Sequence, residues 1–242
     1  MTAGRPAPEP STASVTVGEV PAYLAVPAGE GPWPGLVLVH EAFGLDDNMR
    51  AHADRLARAG YLVIAPDLYS RGRRVTCLRA TFAALSRGSG PAFDDIEAAR
   101  SWLAGDERCT GRVGVIGFCM GGGFALVLAG RPGWGAAVVN YGMLPATPDS
   151  LDGACPVVAS YGGRDSGLRG AAEKLEVALD ARGVPHDVAE YPRAGHSFLN
   201  PEDLSPWWLR PASRFLHIGP EPDSARDAWR RIEAFLDEHL GR

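Results

Sequence analysis

Along the 242 residues, Cys119, Asp165 and His196 stand in the order nucleophile, acid, base, each just past a stretch that reads as a strand. Cys119 sits in Gly117-Phe118-Cys119-Met120-Gly121-Gly122-Gly123, after the apolar run 112–116 and before the Ala/Leu-rich residues 124–129. A short β-branched run predicts a buried strand, and the stretch after the glycines predicts a packed helix. The G-x-C-x-G between them has the pattern of a nucleophile elbow, with cysteine where serine usually stands. So tight a turn forces its central residue into strained geometry, which near neighbours without side chains make tolerable. It also sets the sulfur at a helix N-terminus, where free N–H groups favour a thiolate. Taken alone, the same motif also fits a small buried cysteine beside packing glycines.

Tyr161-Gly162-Gly163-Arg164-Asp165 puts an acid past one strand, and Ala194-Gly195-His196 puts a histidine past the next. His196 would accept the thiol proton and return it to the leaving group, while Asp165 fixes the imidazole tautomer and steadies its cation. Taken singly, Asp165 also reads as a turn residue and His196 as a loop residue. Their joint order and placement favour the catalytic reading.

The elements that must position these groups follow in sequence. Residues 1–13 hold three prolines and one arginine, with no apolar stretch of the kind a secretory signal carries, and are expected to form a flexible lead-in. Residues 14–242 are expected to form one domain. Residues 14–27 predict an edge hairpin, and 35–39 and 61–65 buried strands. A helix between those strands is expected to be capped by Asn48 and stopped by Gly60. A short helix over 76–86 and an amphipathic one over 94–103 precede the elbow. Strands over 136–139, 156–159 and 186–190, helices over 171–182 and from Asp223 or Ser224 onward, complete the series. Strand and helix alternate with short connections. The expected class is therefore α/β, a mostly parallel central sheet with helices on both faces and ligands at the carboxyl ends of its strands.

Composition narrows the function. A net charge of −5 gives no reason to expect nucleic acid or an anionic membrane as partner. Cys77, Cys109, Cys119 and Cys155 show no metal-ligand spacing and read as free thiols of a cytoplasmic protein. No metal or organic cofactor is expected, and no stretch is long enough to span a bilayer. The protein is expected to be a monomer or small homo-oligomer acting on a small molecule.

Elbows of this kind take one oxyanion N–H from the residue after the nucleophile, here Met120. The second comes from the loop after the first central strand, here Ala42. Glu41 stands at that strand's mouth, where a lone carboxylate is costly. It either pairs with an arginine or meets Cys119 and handles its proton. Four segments together resemble the dienelactone hydrolase family over most of residues 36–240: His40-Glu41-Ala42-Phe43-Gly44-Leu45, Ala65-Pro66-Asp67-Leu68-Tyr69, Gly117-Phe118-Cys119-Met120-Gly121-Gly122 and Gly195-His196-Ser197-Phe198. The resemblance implies an α/β-hydrolase fold and a Cys-His-Asp triad at Cys119, His196 and Asp165. It also implies that Glu41 takes the cysteine proton when substrate binds. The thiolate would then attack an ester carbonyl, an enolate or alkoxide would leave, and water would resolve the acyl-enzyme.

Where substrate is chosen, the pattern departs. The family's dienelactone hydrolases hold the substrate carboxylate with two arginines, one after the Asp-Leu-Tyr motif and one shortly after the catalytic histidine. Here Leu199-Asn200 occupies the latter place, and Arg79, with Arg73, Arg74 and Arg210 as rivals, is the candidate for the former. An arginine fork makes two charge-assisted bonds to a carboxylate, whereas an asparagine offers a weaker neutral donor. A dienelactone is therefore not the expected preferred substrate. Tyr141, Asn200 and Trp207, the last in a proline-punctuated loop over 200–222, are further candidates to line the pocket. The same triad would also serve a thioesterase or acyl transferase, and the fold alone would serve a non-catalytic binder. A phosphate cradle at 117–123 lacks both G-x-G-x-x-G and G-K-[ST].

Overall fold

A computed structural model describes residues 9–145, 147–203 and 217–241. Eight strands form one sheet in the order β1-β2-β4-β3-β5-β6-β7-β8. β1 (Ser11–Val17) and β2 (Val20–Val26) form the edge hairpin, and β2 runs antiparallel to β4 (Leu62–Pro66). The remaining pairs are parallel: β3 (Trp33–Val39), β5 (Cys109–Phe118), β6 (Ala137–Asn140), β7 (Val157–Gly162) and β8 (His186–Tyr191). Ser11, Thr12 and Ala13, expected in the flexible lead-in, instead pair with Val26, Ala25 and Leu24. Alternating Ser, Thr and Ala suit an exposed edge strand, a pattern too weakly apolar to stand out in sequence.

Leu36, Val37, Leu38 and Val39 are all buried because the sheet is covered on both faces. Val37 and Val39 pack with α3 (Pro91–Ala104) and α4 (Met120–Ala129), and Leu36 and Leu38 with α1 (Asp47–Arg58) and α6 (Pro222–Leu240). α2 (Arg74–Arg87) and α5 (Ala171–Asp180) lie on the α3/α4 side. Every residue of α4 is buried, which explains a helix apolar all round.

Three helix starts differ from expectation for capping reasons. Asp46, not Asn48, caps α1, its carboxylate accepting from the Met49 N–H at 3.1 Å. Asn48 turns inward instead and donates to the Glu202 carbonyl at 3.0 Å. α3 starts at Pro91, whose missing N–H costs nothing in the first turn. α6 starts at Pro222 behind Glu221, which accepts from the Ser224 N–H at 2.8 Å. Among the described residues no helix is long and apolar enough to cross a membrane.

The chain proceeds from β3 to β4 on one side of the sheet, then crosses back to β5 on the other. The strand order thus reverses between β3 and β5, and sheets of this type bind ligands outside the carboxyl ends of the strands at such a switch point.

Candidate active site

Cys119 follows β5 and heads α4 with φ 55° and ψ −117°, the strained geometry expected of the elbow. Two glycines make the bend possible. A Cβ on Gly117 would lie 1.9 Å from the Gly121 carbonyl oxygen, and one on Gly121 would lie 2.1 Å from that of Val39. The Cys119 N–H donates to the Asn140 carbonyl at 3.0 Å, fixing the elbow to β6. The sulfur is half-buried.

Asp165 follows β7 and its two oxygens have separate tasks. Oδ1 accepts from the Gly167 N–H at 3.0 Å, and Oδ2 accepts a hydrogen bond from His196 Nδ1–H at 2.5 Å. With Nδ1 committed to Asp165, Nε2 is left for Cys119, whose influence helps to raise the pKa of the ring. Burial opposes a charge on His196. The hydrogen bond to Asp165, then the hydrogen bond and charge of Cys119, outweigh it and push its pKa up to about 10. Gly219 N–H donates to the His196 carbonyl at 2.9 Å, tying the histidine loop to residues 217–219.

Glu41 is buried, and among the described residues no arginine pairs with it. It accepts instead from neutral donors: Tyr141 Oη at 3.2 Å, Ser197 Oγ at 3.1 Å, and Asn200 Nδ2 at 3.4 and 3.2 Å to its two oxygens. Burial raises its pKa, while Asn200, the His196 charge and Ser197 pull the other way. Among the described residues no hydrogen bond joins Glu41 to Cys119; the Tyr141 phenol donates to Glu41, and burial, then the charges of Glu41 and Cys119, raise its pKa.

The loop after β3 is pinned from two sides. His40 Nδ1 donates to the Glu41 carbonyl at 2.7 Å while its Nε2 accepts from the Leu68 N–H at 3.2 Å. Tyr69 Oη donates to the Ala42 carbonyl at 3.1 Å and lies 3.7 Å from Met120 Sδ, joining the two loops that carry Ala42 and Met120. Met120 opens α4, so its N–H has no acceptor within the helix.

Residues 20–240 match the dienelactone hydrolase family model. The chain belongs to that family. A "Putative carboxymethylenebutenolidase" of Methylorubrum extorquens is 32% identical over 240 residues, covering 92% of this chain and 78% of that protein. One of the same description from Escherichia coli K12 is 30% identical over 243 residues, covering 92% and 84%. The crystal structure of a "Putative Dienelactone Hydrolase" from Klebsiella pneumoniae superposes with a TM-score of 0.79 at 26% identity, over 95% of this chain and 99% of that one. The fold is thus the α/β-hydrolase fold and the protein is a hydrolase.

In this dienelactone hydrolase relative, Tyr141 and Asn200 are buried; Tyr141 donates to Glu41, and Asn200, which also lines a cavity of about 290 Å³ with His52 and Phe198, is hydrogen-bonded to Glu41 and His52. Arg79, Arg73 and Arg74 are exposed on or before α2, and among the described residues no hydrogen bond or ion pair ties them to the site. Trp207 and Arg210 lie outside the described residues. Sequence reasoning gave no role to His52 or Tyr69. Tyr69 had a signal, its place in the Asp-Leu-Tyr motif; His52 had none, because only the fold brings α1 beside residue 200.

The His196 shift fixes a sign. Its folded pKa lies above the ordinary 6.5, so the charged pair contributes stability that is complete below pH 6.5 and lost as pH climbs through about 10. In an NMR titration His196 is expected to stay protonated until near pH 10, with Asp165→Asn or Cys119→Ala each lowering that midpoint. A wild-type midpoint at or below 6.5 contradicts the arrangement.

Proposed function

We propose that the protein hydrolyses a small ester or lactone lacking a recognised carboxylate, through an acyl-enzyme on Cys119. The observation that supports this reading best is His196, hydrogen-bonded to Asp165 and raised in pKa by both Asp165 and Cys119. Such a pair favours thiolate and imidazolium together, the state in which sulfur is nucleophilic.

The steps follow from the residues. Glu41 in its ionised form accepts the thiol proton as substrate enters; at rest it is not bonded to Cys119, so the transfer accompanies a rearrangement on binding. The thiolate attacks the carbonyl carbon, and the developing oxyanion is met by the N–H groups of Met120 and Ala42. Collapse of the adduct breaks the ester C–O bond, with His196 giving its proton to the leaving oxygen. Water, deprotonated by His196, then attacks the thioester and releases the acid and the thiolate, to which Glu41 returns its proton to restore the resting thiol. Asp165 keeps the imidazole aimed throughout.

The substrate assignment rests on Asn200. Where the family pattern expects an arginine, a neutral amide sits turned inward on Glu41. A lactone as one natural substrate type is consistent with the relatives from Methylorubrum extorquens and Escherichia coli, each named as a putative carboxymethylenebutenolidase.

Cys119→Ala is expected to lower hydrolysis of activated esters and lactones by on the order of 10³-fold or more. Iodoacetamide should inactivate the wild type with a single label at Cys119. Full activity in the alanine variant excludes the mechanism. For two lactones differing only in a carboxylate, kcat/KM is expected to be similar; a preference of tenfold or more for the anion, about 1.4 kcal/mol, overturns the substrate assignment.

A further inference from the structure

His52 is a buried histidine that the reaction as described does not use. Its ring stacks on Phe118 with centroids 4.4 Å apart and planes 5° from parallel, and Trp229 approaches from α6 with a centroid distance of 5.3 Å. Among the described residues its one polar contact is Nε2 to Asn200 Oδ1 at 3.1 Å. The other end of that amide, Nδ2, faces both oxygens of Glu41. An ionised carboxylate only accepts, so the nitrogen end of Asn200 belongs toward Glu41 and the oxygen end toward His52. His52 therefore presents Nε2–H. A flipped amide would set oxygen against carboxylate and leave the imidazole N–H without its acceptor.

We propose that His52 is a positioning residue for Glu41, locking the Asn200 amide in the orientation that donates to the carboxylate and so keeping Glu41 able to accept a proton. The inference rests on the reading of Glu41 given above. Three features support it. Asn48, one turn earlier on α1, holds the Glu202 carbonyl at 3.0 Å, so the helix grips the 200–202 segment twice. Burial keeps the His52 ring neutral, lowering its pKa to about 4, so it stays a fixed donor at working pH. The hydrogen bond from Asn200 is the largest influence acting against burial on Glu41.

The groups facing this relay are few. Around Glu41 stand His196, Asp46 and the Tyr141 phenol, with Ser197 as a neutral donor. Around His52 stand Arg55 on α1 and, across a cavity of about 290 Å³ walled by Phe198, Pro220 and Trp229, Arg226 on α6. None of these lies between His52 Nε2 and Asn200. Losing the Asn200 donors should raise the proton affinity of Glu41, and a carboxylate needed as its anion then fails at higher pH than before.

The test is the pH dependence of kcat/KM for a neutral activated ester in wild type, His52→Phe, His52→Gln and Glu41→Gln. Phenylalanine keeps the stacking on Phe118 and Trp229 but removes the N–H; glutamine restores an N–H donor. His52→Phe is expected to move the acid-side midpoint up by about one pH unit, roughly tenfold in activity on the acid limb. Its activity should recover at alkaline pH, and His52→Gln should keep the wild-type midpoint. A purely structural role lowers activity by one factor at every pH, and that result overturns the proposal, as does an unmoved midpoint in His52→Phe. If Glu41→Gln retains the wild-type acid limb, the reading of Glu41 itself fails and His52 loses its role with it. If Glu41→Gln loses that limb while His52→Phe matches wild type, only the inference about His52 fails.

Discussion

The site depends on where one sulfur atom can be held. A strand feeding straight into a helix leaves its bridging residue with positive φ, and Cys119 accepts that geometry because the neighbouring backbone closes around it. Gly117 passes so near Gly121, and Gly121 so near Val39, that neither position has room for a methyl group. The sulfur is thereby fixed above the sheet's switch point, at the head of a helix whose first N–H groups are free. Tyr141 and Ser197, with φ of 41° and 59°, share the strained backbone, so the cost is concentrated at the site.

Electrostatics then divides two carboxylates between two tasks. Asp165 meets a histidine and stabilises its cation, drawing His196 to about 10. Glu41 is more deeply enclosed and meets only phenol, hydroxyl and amide donors, so burial raises its proton affinity. The two surroundings differ although the two side chains have nearly the same chemistry in water.

Much of this was legible in the chain. Period-two and continuous apolar runs locate the strands, and glycine spacing marks the elbow. The order of Cys119, Asp165 and His196 marked which strand ends converge. Helix starts were less legible, because Asp46 and Asn48 are both good caps and only packing decides which turns inward. Edge strand β1 was read short because Ser11, Thr12 and Ala13 carry little apolar signal. The environment of Glu41 was illegible for a deeper reason. Tyr141, Ser197 and Asn200 lie 100, 156 and 159 residues away from it, and no local pattern records such contacts. Asn200 and Tyr141 stand past strand ends in the sequence, and the fold engages the polar atoms of both with Glu41.

The most direct test of the central claim is to trap the acyl group. Intact mass spectrometry within the first turnover of an activated ester, followed by peptide mapping, should find one acyl adduct, carried by the peptide containing Cys119 and released by hydroxylamine as a thioester. An adduct on any other residue, or turnover with Cys119 unmodified at every time point and by every trapping method, would contradict the account.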